Sequence, residues 1–256
     1  MDLTLVTCNI RFDNPADGAN AWPHRRSLLS EILLKHQPDI IATQEGRFQQ
    51  LHDLNSLLAD YDIVDQHRAW IGERMYPTFF VKKNRFELMK SEDIWLSETP
   101  DIAGSKSFGS TFPRLMTWMK VQPVGSQDDL WLVNTHLDHI KEEARLGQVK
   151  VLTSQIKRFW NKADHLFIMG DFNAAPTGPV HEHLMQELSL KDSWKLFHAH
   201  EETSHHAFSG DFPNGSRIDW IMADERVKVI SCELDKSSKD GHWPSDHYPV
   251  VAKFSL

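Results

Sequence analysis

An apolar run that ends in two polar side chains is the feature that most constrains how this chain can fold. Leu166–Met169 is typical of a buried strand, and Gly170 is expected to end it with a tight turn. Asp171 and Asn173 should then point the same way, with Phe172 directed into the protein. The result is a carboxylate and a carboxamide at the mouth of a sheet, where hydrolytic sites are often built. An Asx-rich turn is the alternative interpretation.

The same pattern, an apolar strand followed by polar and potentially catalytic residues, recurs in five other stretches. They are Val6–Asn9, Ile40–Glu45, Val133–Asp138, Arg217–Ile221 and Pro244–Pro249. Taken in this order, the six stretches resemble the exonuclease-endonuclease-phosphatase superfamily, whose fold is that of pancreatic deoxyribonuclease. The resemblance runs from Asn9 to His247 and so covers nearly the whole chain.

Length and composition are those of an ordinary globular protein. At 256 residues the chain could form one large α/β domain or two small ones. No linker or repeat divides it, and the motifs lie near both ends, so we expect a single domain over residues 1–256. Lys plus Arg is 28 and Asp plus Glu is 36, which gives a charge of 28 − 36 = −8. This balance argues against broad, charge-driven nucleic-acid binding and favours a small or short substrate.

Several simple features bear on location and partners. The two cysteines, Cys8 and Cys232, make no disulfide framework, which suits a cytoplasmic protein. Met1 leads directly into the first predicted strand, so no signal peptide is evident. No apolar run approaches the ~20 residues that a membrane span needs. We therefore expect no stable membrane association, and no obligate protein partner is evident.

Periodicity predicts an α/β protein with mixed sheets. Strands are predicted at Leu3–Cys8, Asp39–Thr43, Thr78–Val81, Glu87–Leu96, Met116–Val121, Leu130–Thr135, Leu166–Met169, Arg217–Met222, Val227–Leu234 and Pro249–Phe254. Helices are predicted from Pro23 to near His36 and at Phe48–Leu58, Glu142–Trp160 and His181–Leu188. The family resemblance implies more, namely two stacked mixed sheets flanked by helices in a four-layer α/β/β/α sandwich.

Phosphoester hydrolysis needs a hard cation, an activated water and cover for the charge on the phosphoryl oxygens. Carboxylate and amide oxygens at the strand ends are the donors that Mg²⁺ and Mn²⁺ prefer. The resemblance implies that Glu45 is the principal metal ligand, that Asn9 also sits at the metal and that Asp246 is a ligand. Several nuclease members carry an acid two residues after the first Asn, whereas this chain has Arg11 there.

The resemblance also implies catalytic roles for four residues. Asp171 positions or deprotonates the attacking water, and Asn173 holds the phosphate. His247 acts on the phosphate side, and Asp219 pairs with it. A carboxylate in that position orients the imidazole and raises its pKa, which favours the charged form beside a phosphate.

Two further assignments come from the resemblance. His136 matches the family's other active-site histidine, with Asn134 as a candidate support. Gly72-Glu73, the segment Trp95–Pro100, Arg114 and the segment Asn134–His139 resemble a bacterial branch near the poly(A)-shortening deadenylases. In that branch an arginine equivalent to Arg114 reaches the phosphate. The alternative interpretation is that Arg114 is only a surface residue. Four loop histidines match no motif and are excluded from the predicted site: His198, His200, His205 and His206.

The leading hypothesis is a Mg²⁺- or Mn²⁺-dependent hydrolase in which a metal-oriented water attacks a phosphodiester or phosphomonoester. One alternative is an exonuclease or endonuclease acting on single-stranded RNA or DNA. Another is a non-catalytic binding domain, although all the expected active-site residues are present. Some tryptophans could stack on a base or a sugar, and core packing accounts for most of them. The candidates are Trp22, Trp70, Trp95 and Trp243.

Overall fold

Twelve strands and four α-helices make up the computed structural model, which describes residues 1–256. The strands are β1 (Asp2–Asn9), β2 (Ile40–Gly46), β3 (Tyr61–Val64), β4 (Tyr76–Lys82), β5 (Phe86–Trp95), β6 (Leu115–Pro123), β7 (Leu130–His136), β8 (His165–Asp171), β9 (Leu190–Asp192), β10 (Asp219–Asp224), β11 (Lys228–Leu234) and β12 (Val250–Ser255). The helices are α1 (Trp22–Lys35), α2 (Phe48–Leu57), α3 (Glu142–Phe159) and α4 (Pro179–Leu188). Two short 3-10 helices cover Pro15–Asn20 and Trp194–Leu196.

The strands form two mixed sheets of six. Their orders are β11-β12-β1-β2-β4-β3 and β5-β6-β7-β8-β10-β9. Each sheet has one parallel pair, β1 with β2 and β7 with β8, and all other neighbours are antiparallel. Because parallel strands end at the same edge, Asn9 lies beside Gln44 and His136 lies beside Asp171. Each sheet therefore brings two polar strand ends together.

Apolar side chains fill three layers of core, which fixes the order of the sheets and helices. Between the sheets, Leu5 and Phe79 of the first pack with Leu132 and Phe167 of the second. The outer face of the first sheet packs against α1 and α2, and that of the second against α3 and α4. This confirms the predicted four-layer α/β/β/α sandwich. No helix combines the length and apolar character that crossing a bilayer requires.

Most element predictions are confirmed within about two residues, and the exceptions have local causes. Gly170 does not end its strand, and β8 continues to Asp171. Its φ is 141°, and a β-carbon there would lie 2.1 Å from the carbonyl oxygen of Thr135 on β7. The glycine is therefore required by the close approach of two backbones. The strands β3 and β9, of four and three residues, were not predicted because they are too short to show a period.

The strand predicted from Arg217 begins two residues later, at Asp219. The backbone N–H groups of Ile218 and Asp219 donate to the hydroxyl of Ser204. The guanidinium of Arg217 is buried and pairs with Asp192. These side-chain contacts hold the two residues that precede β10.

Candidate active site

A cavity of about 580 Å³ opens where the polar strand ends of the two sheets meet. Seven of the nine predicted site residues line it: Glu45, Arg114, His136, Asp171, Asn173, Asp246 and His247. The other two, Asn9 and Asp219, are buried directly behind and hydrogen-bond to residues of the lining. Residues that are 162 positions apart in the chain, Asn9 and Asp171, thus come within 2.9 Å of each other.

A buried hydrogen bond joins His247 to an acid. Nδ1 of His247 lies 2.8 Å from Oδ2 of Asp219, and its Nε2 lies 4.0 Å from Oδ2 of Asp171. Burial alone would lower the pKa of His247. The negative charge of Asp219 and its hydrogen bond, followed by the charges of Asp171 and Asp246, outweigh burial and raise this pKa to about 10. His247 is therefore a cation at neutral pH, with one N–H directed towards the cavity.

Asp219 is itself held by Ser204. The Ser204 hydroxyl donates to Oδ2 of Asp219 at 2.6 Å and accepts from the backbone N–H groups of Ile218 and Asp219. Both side chains are fully buried. Ser204 thus fixes the carboxylate that orients His247, because a buried hydroxyl with three partners has no freedom to turn.

Asp171 occupies the centre of the site. Its Oδ2 accepts from Nδ2 of Asn9 and lies 3.4 Å from Nε2 of His136, while Oδ1 accepts from the backbone N–H of Asn173. Burial and then the charge of Asp219 raise the pKa of Asp171 above its ordinary value. A carboxylate with a raised pKa is a better proton acceptor than an ordinary aspartate.

His136 and Asn173 flank this carboxylate in different ways. Burial, followed by the nearby cations Arg114 and His247, lowers the pKa of His136 well below its ordinary value, so this imidazole is neutral. Asn173 adopts a φ of 49°, and its side-chain amide donates to the carbonyl of Leu137. The left-handed backbone at Asn173 turns the chain away from β8 and leaves the Asp171 carboxylate facing the cavity.

The predicted metal ligands supply hard oxygen donors. Glu45, whose φ is 66°, accepts from the backbone N–H of Phe12 through Oε2 and from Nδ2 of Asn9 through Oε1. Oδ2 of Asp246 lies 3.9 Å from both Arg11 Nε and His205 Nε2. Two carboxylates lining one cavity fit Mg²⁺ or Mn²⁺, which take oxygen ligands.

Asn9 is placed so that its amide nitrogen, and not its oxygen, faces the carboxylates. Nδ2 donates to both Glu45 and Asp171, while Oδ1 accepts from the backbone N–H of Arg11. In this arrangement Asn9 links a strand end of one sheet to a strand end of the other. Direct metal ligation by Asn9 stays a prediction.

Two sets of side chains are compact enough to hold a metal ion. One is His205, Asp246 and His247, and the other is Asp171, Asp219 and His247. Both contain His247. Nδ1 of His247 is already hydrogen-bonded to Asp219, so Nε2 is the ring nitrogen left for a metal or a phosphate. In the second set, a hydrogen bond joins Asp219 to His247, and Nε2 of His247 lies 4.0 Å from Oδ2 of Asp171.

Positively charged side chains line the cavity together with the carboxylates. Arg114 is 6% exposed, which makes it a buried residue and not a surface arginine. Its Nη2 lies 3.1 Å from Nδ1 of His139, and its Nε has no hydrogen-bond partner. The Nε of Arg47 is likewise buried without a partner. Both arginine side chains line the cavity and give it positive charge of the kind that binds a phosphate.

Arg11 stands where an acid was expected, and it faces the same cavity. Its guanidinium donates to both oxygens of Asp17 and approaches Asp246. The pair with Asp17 fixes the guanidinium beside the candidate ligand Asp246. This chain therefore carries a cation at the place where several nucleases carry an additional acid.

The structure corrects the exclusion of His205. This residue lines the cavity, with its ring 4.7 Å from that of His247. The neighbouring loop histidines do not line it. His206 is buried against Tyr248, and His198 stacks on Trp194. An isolated backbone bridge to His247 brings His205 into the site. The two residues are far apart in the sequence, so no local sequence pattern indicates this contact.

Asn134 does not support His136 as expected. Its Nδ2 donates to the carbonyls of Thr43 and Thr78, and its Oδ1 accepts from Nε2 of Gln44. Asn134 therefore connects the two sheets beneath the site. Its partners belong to strands of the opposite sheet, which the sequence around Asn134 does not indicate.

The comparisons with known proteins agree with this architecture. A profile of the Endonuclease/Exonuclease/phosphatase family matches residues 6–247. An endonuclease/exonuclease/phosphatase from Bacteroides vulgatus has a similar structure, with a TM-score of 0.91, 29% identity, and coverage of 100% of this chain and 99% of that one. The mannosyl-6-phosphatase Bt3783 of Bacteroides thetaiotaomicron shares the fold, with a TM-score of 0.89, 24% identity, and coverage of 99% and 100%.

Among curated proteins, mouse nocturnin is 24% identical over 267 aligned residues. The alignment covers 92% of this chain but 59% of nocturnin. The chain thus spans about three-fifths of the length of that relative.

Proposed function

This chain belongs to the Endonuclease/Exonuclease/phosphatase family, and we propose that it hydrolyses small phosphoesters with Mg²⁺ or Mn²⁺ as cofactor. The observation that carries the proposal is the Asp219–His247–Asp171 arrangement. A cationic imidazole in the loop before β12 and a carboxylate with a raised pKa at the end of β8 face one cavity. Phosphoryl transfer needs both groups, one to stabilise negative charge and one to accept a proton.

The geometry supports a single displacement at phosphorus. Asp171 accepts a proton from water as the water oxygen bonds to phosphorus, and the bond from phosphorus to the alcohol oxygen breaks. The alkoxide leaves with a proton from solvent. His247 and Arg114 stabilise the charge on the phosphoryl oxygens, and Asn173 lies at the same wall. Glu45 and Asp246 would hold Mg²⁺ or Mn²⁺, which supplies Lewis-acid neutralisation of the phosphate.

A small substrate fits the charge of the chain better than a long nucleic acid does. With a formal net charge of −8, the chain as a whole does not attract a long phosphate backbone. The mannosyl-6-phosphatase of the same fold acts, by its name, on a phosphorylated sugar. The principal alternative is a nuclease that takes a short single strand, with mouse nocturnin as the relevant relative.

The test is a substrate panel measured with and without metal. Hydrolysis of a phosphomonoester should disappear in EDTA and return with Mg²⁺ or Mn²⁺. Asp171→Asn and His247→Ala should each reduce turnover by ~10² to 10⁴, the range expected for loss of a positioned proton acceptor or charge stabiliser. Full activity in metal-free protein would contradict the proposal. Much faster cleavage of single-stranded RNA or DNA than of any small ester would favour the nuclease alternative.

A further inference from the structure

A second cavity adjoins the candidate active site. It has a volume of about 150 Å³ and shares part of its wall with the first cavity. The shared wall is formed by Glu45, Arg47, Met75, Phe112, Arg114 and His136. We call this second cavity the side compartment. Because it meets the site at Arg114 and His136, a group bonded to the reacting phosphate could extend into it.

The lining of the side compartment combines apolar surface with charge. Trp95, Pro77 and Leu115 are buried residues that line it. Glu73 also lines it, and 85% of its side chain is exposed. Oε2 of Glu73 lies 3.7 Å from Nη1 of Arg47. A hydrogen-bond acceptor and a hydrogen-bond donor therefore lie together beside the apolar surface.

Two arginines keep unpaired donors at this junction. The Nε atoms of Arg47 and Arg114 are buried and have no hydrogen-bond partner in the protein. Buried N–H groups without partners are costly, so they indicate a ligand or ordered water. Both side chains line both cavities, so they place positive charge at the junction.

The size of the side compartment limits what can enter. An engineered protein cavity of ~150 Å³ accepts a single benzene ring. The compartment therefore has room for one ring of a substrate whose remaining part lies in the main cavity, and it is too small for a nucleobase together with its ribose. The chemistry narrows the choice further. A sugar ring presents a C–H face to an indole and hydroxyl groups to a carboxylate and a guanidinium.

We propose that the side compartment is a specificity pocket for the alcohol part of the substrate, and that this alcohol is a single sugar ring. Trp95 contacts the C–H face, and Glu73 accepts hydrogen bonds from ring hydroxyls. The proposal rests on the proposed phosphoester hydrolysis and adds the class of leaving group and the residues that select it.

The experiment compares kcat/KM for three substrates with Mg²⁺ present: a hexose 6-phosphate, acyclic glycerol 3-phosphate and a nucleoside 5′-monophosphate. The wild-type protein should prefer the hexose phosphate. Glu73→Gln should lower the ratio of hexose phosphate to glycerol phosphate about tenfold, because hydrogen bonds to a charged acceptor are stronger than those to an amide. Glu87→Gln is the matched control, since Glu87 is an exposed acid on β5 that does not line either cavity.

Trp95→Phe tests the apolar contact and should lower the same ratio. Because Trp95 is buried and packs against Tyr76, its variant is compared with the wild type by thermal unfolding. The exposed Glu73 variant makes the test independent of that result. A ratio unchanged by Glu73→Gln, or a preference for glycerol phosphate or the nucleotide, overturns the specificity pocket while leaving phosphoester hydrolysis intact. Failure to hydrolyse any phosphoester overturns the proposed function itself.

Discussion

Nδ1 of His247 lies 2.8 Å from Oδ2 of Asp219, and no part of the Asp219 side chain reaches the cavity. We therefore expect Asp219 to act through the histidine and not by direct contact with a substrate. Its charge is the main cause of the raised pKa of His247 once the opposing effect of burial is overcome. We expect the two residues to act as one functional unit.

Asp219→Asn should abolish most activity with little change in metal affinity. The substitution keeps the shape of the side chain but removes its charge, so the pKa of His247 should fall from about 10. The alkaline limb of the pH–rate profile should move to lower pH, because the imidazole now loses its proton earlier. Profiles of kcat/KM against pH, together with calorimetric metal titration, check both statements.

The double variant Asp219→Asn/His247→Ala provides the control for that expectation. It should be scarcely worse than His247→Ala alone, because residues that act as a unit are not additive. Multiplicative losses, or a large fall in metal affinity on Asp219→Asn, would place Asp219 in the metal shell instead.

Ser204→Ala should reduce turnover about tenfold while leaving the fold intact. The substitution removes the 2.6 Å hydrogen bond to Oδ2 of Asp219 and leaves two backbone N–H groups without their acceptor. The freed carboxylate should hold His247 less firmly. The alkaline limb of the pH–rate profile should therefore move to lower pH, as in Asp219→Asn, but by a smaller amount. Ser204→Thr keeps a hydroxyl and should recover part of the activity. A loss of turnover with no change in the pH profile would mean that Ser204 is only structural.

The order of these elements could be predicted from the sequence because the signals are local. An apolar run followed by Asp171, Asn9 or Glu45 marks a strand end, and helical periodicity marks α1 to α4. Ser204 and His205 lie in an irregular loop without a pattern. They reach the site through contacts with residues 15 to 42 positions away, namely Asp219 and His247. Such contacts depend on the packed sheets, so no local pattern could have indicated them.

The roles of Asn134 and Gly170 also could not be predicted from the local sequence. Both positions were singled out from the sequence, yet the reason for each residue lies on a neighbouring strand or the opposite sheet. Asn134 bonds to Gln44, and Gly170 makes room for the backbone of Thr135. Sequence patterns identify which residues are unusual, whereas packing determines what they do.

The acid limb of the pH–rate profile should reflect Asp171. Its pKa is raised by burial and then by the charge of Asp219, and the protonated form cannot accept a proton from water. Activity should therefore fall as the pH falls through this raised pKa, at a higher pH than the value near 3.9 of an ordinary aspartate. In Asp219→Asn the acid limb should move to lower pH, because one cause of the rise is gone. An acid limb that stays in place in this variant would assign it to another group.

His205→Ala should leave the affinity for Mg²⁺ or Mn²⁺ nearly unchanged. Nε2 of His205 lies 3.9 Å from Oδ2 of Asp246, and 35% of its side chain is exposed. Magnesium prefers the oxygens of Glu45 and Asp246 to an imidazole. Calorimetric titration with Mg²⁺ and Zn²⁺ distinguishes the two possibilities, with His206→Ala as a control on the same loop. Zinc-dependent activity that is lost in His205→Ala would identify His205 as a metal ligand. It would contradict a metal site made of the oxygens of Glu45 and Asp246.

Arg25 should stabilise the active-site end of the protein as a whole. It is 3% exposed, and its guanidinium donates only to backbone carbonyls, those of Asn20, Ile10, Arg11 and Pro244. These contacts tie the segment after β1 to the residue two positions before Asp246. Arg25→Met leaves buried acceptors without partners, each costing ~1–3 kcal/mol, so we expect the free energy of unfolding to fall by roughly 3 kcal/mol or more.

The adjacent Arg26 offers a matched control for that substitution. It lies on the same helix, its side chain is 44% exposed, and it pairs with Asp53. Arg26→Met should cost less than about 1 kcal/mol, because exposed ion pairs contribute little. Urea unfolding of both variants measures the difference, and kcat/KM shows whether the Asp246 segment has moved. Equal losses of stability in the two variants would show that the carbonyl contacts of Arg25 do not hold this end of the molecule together.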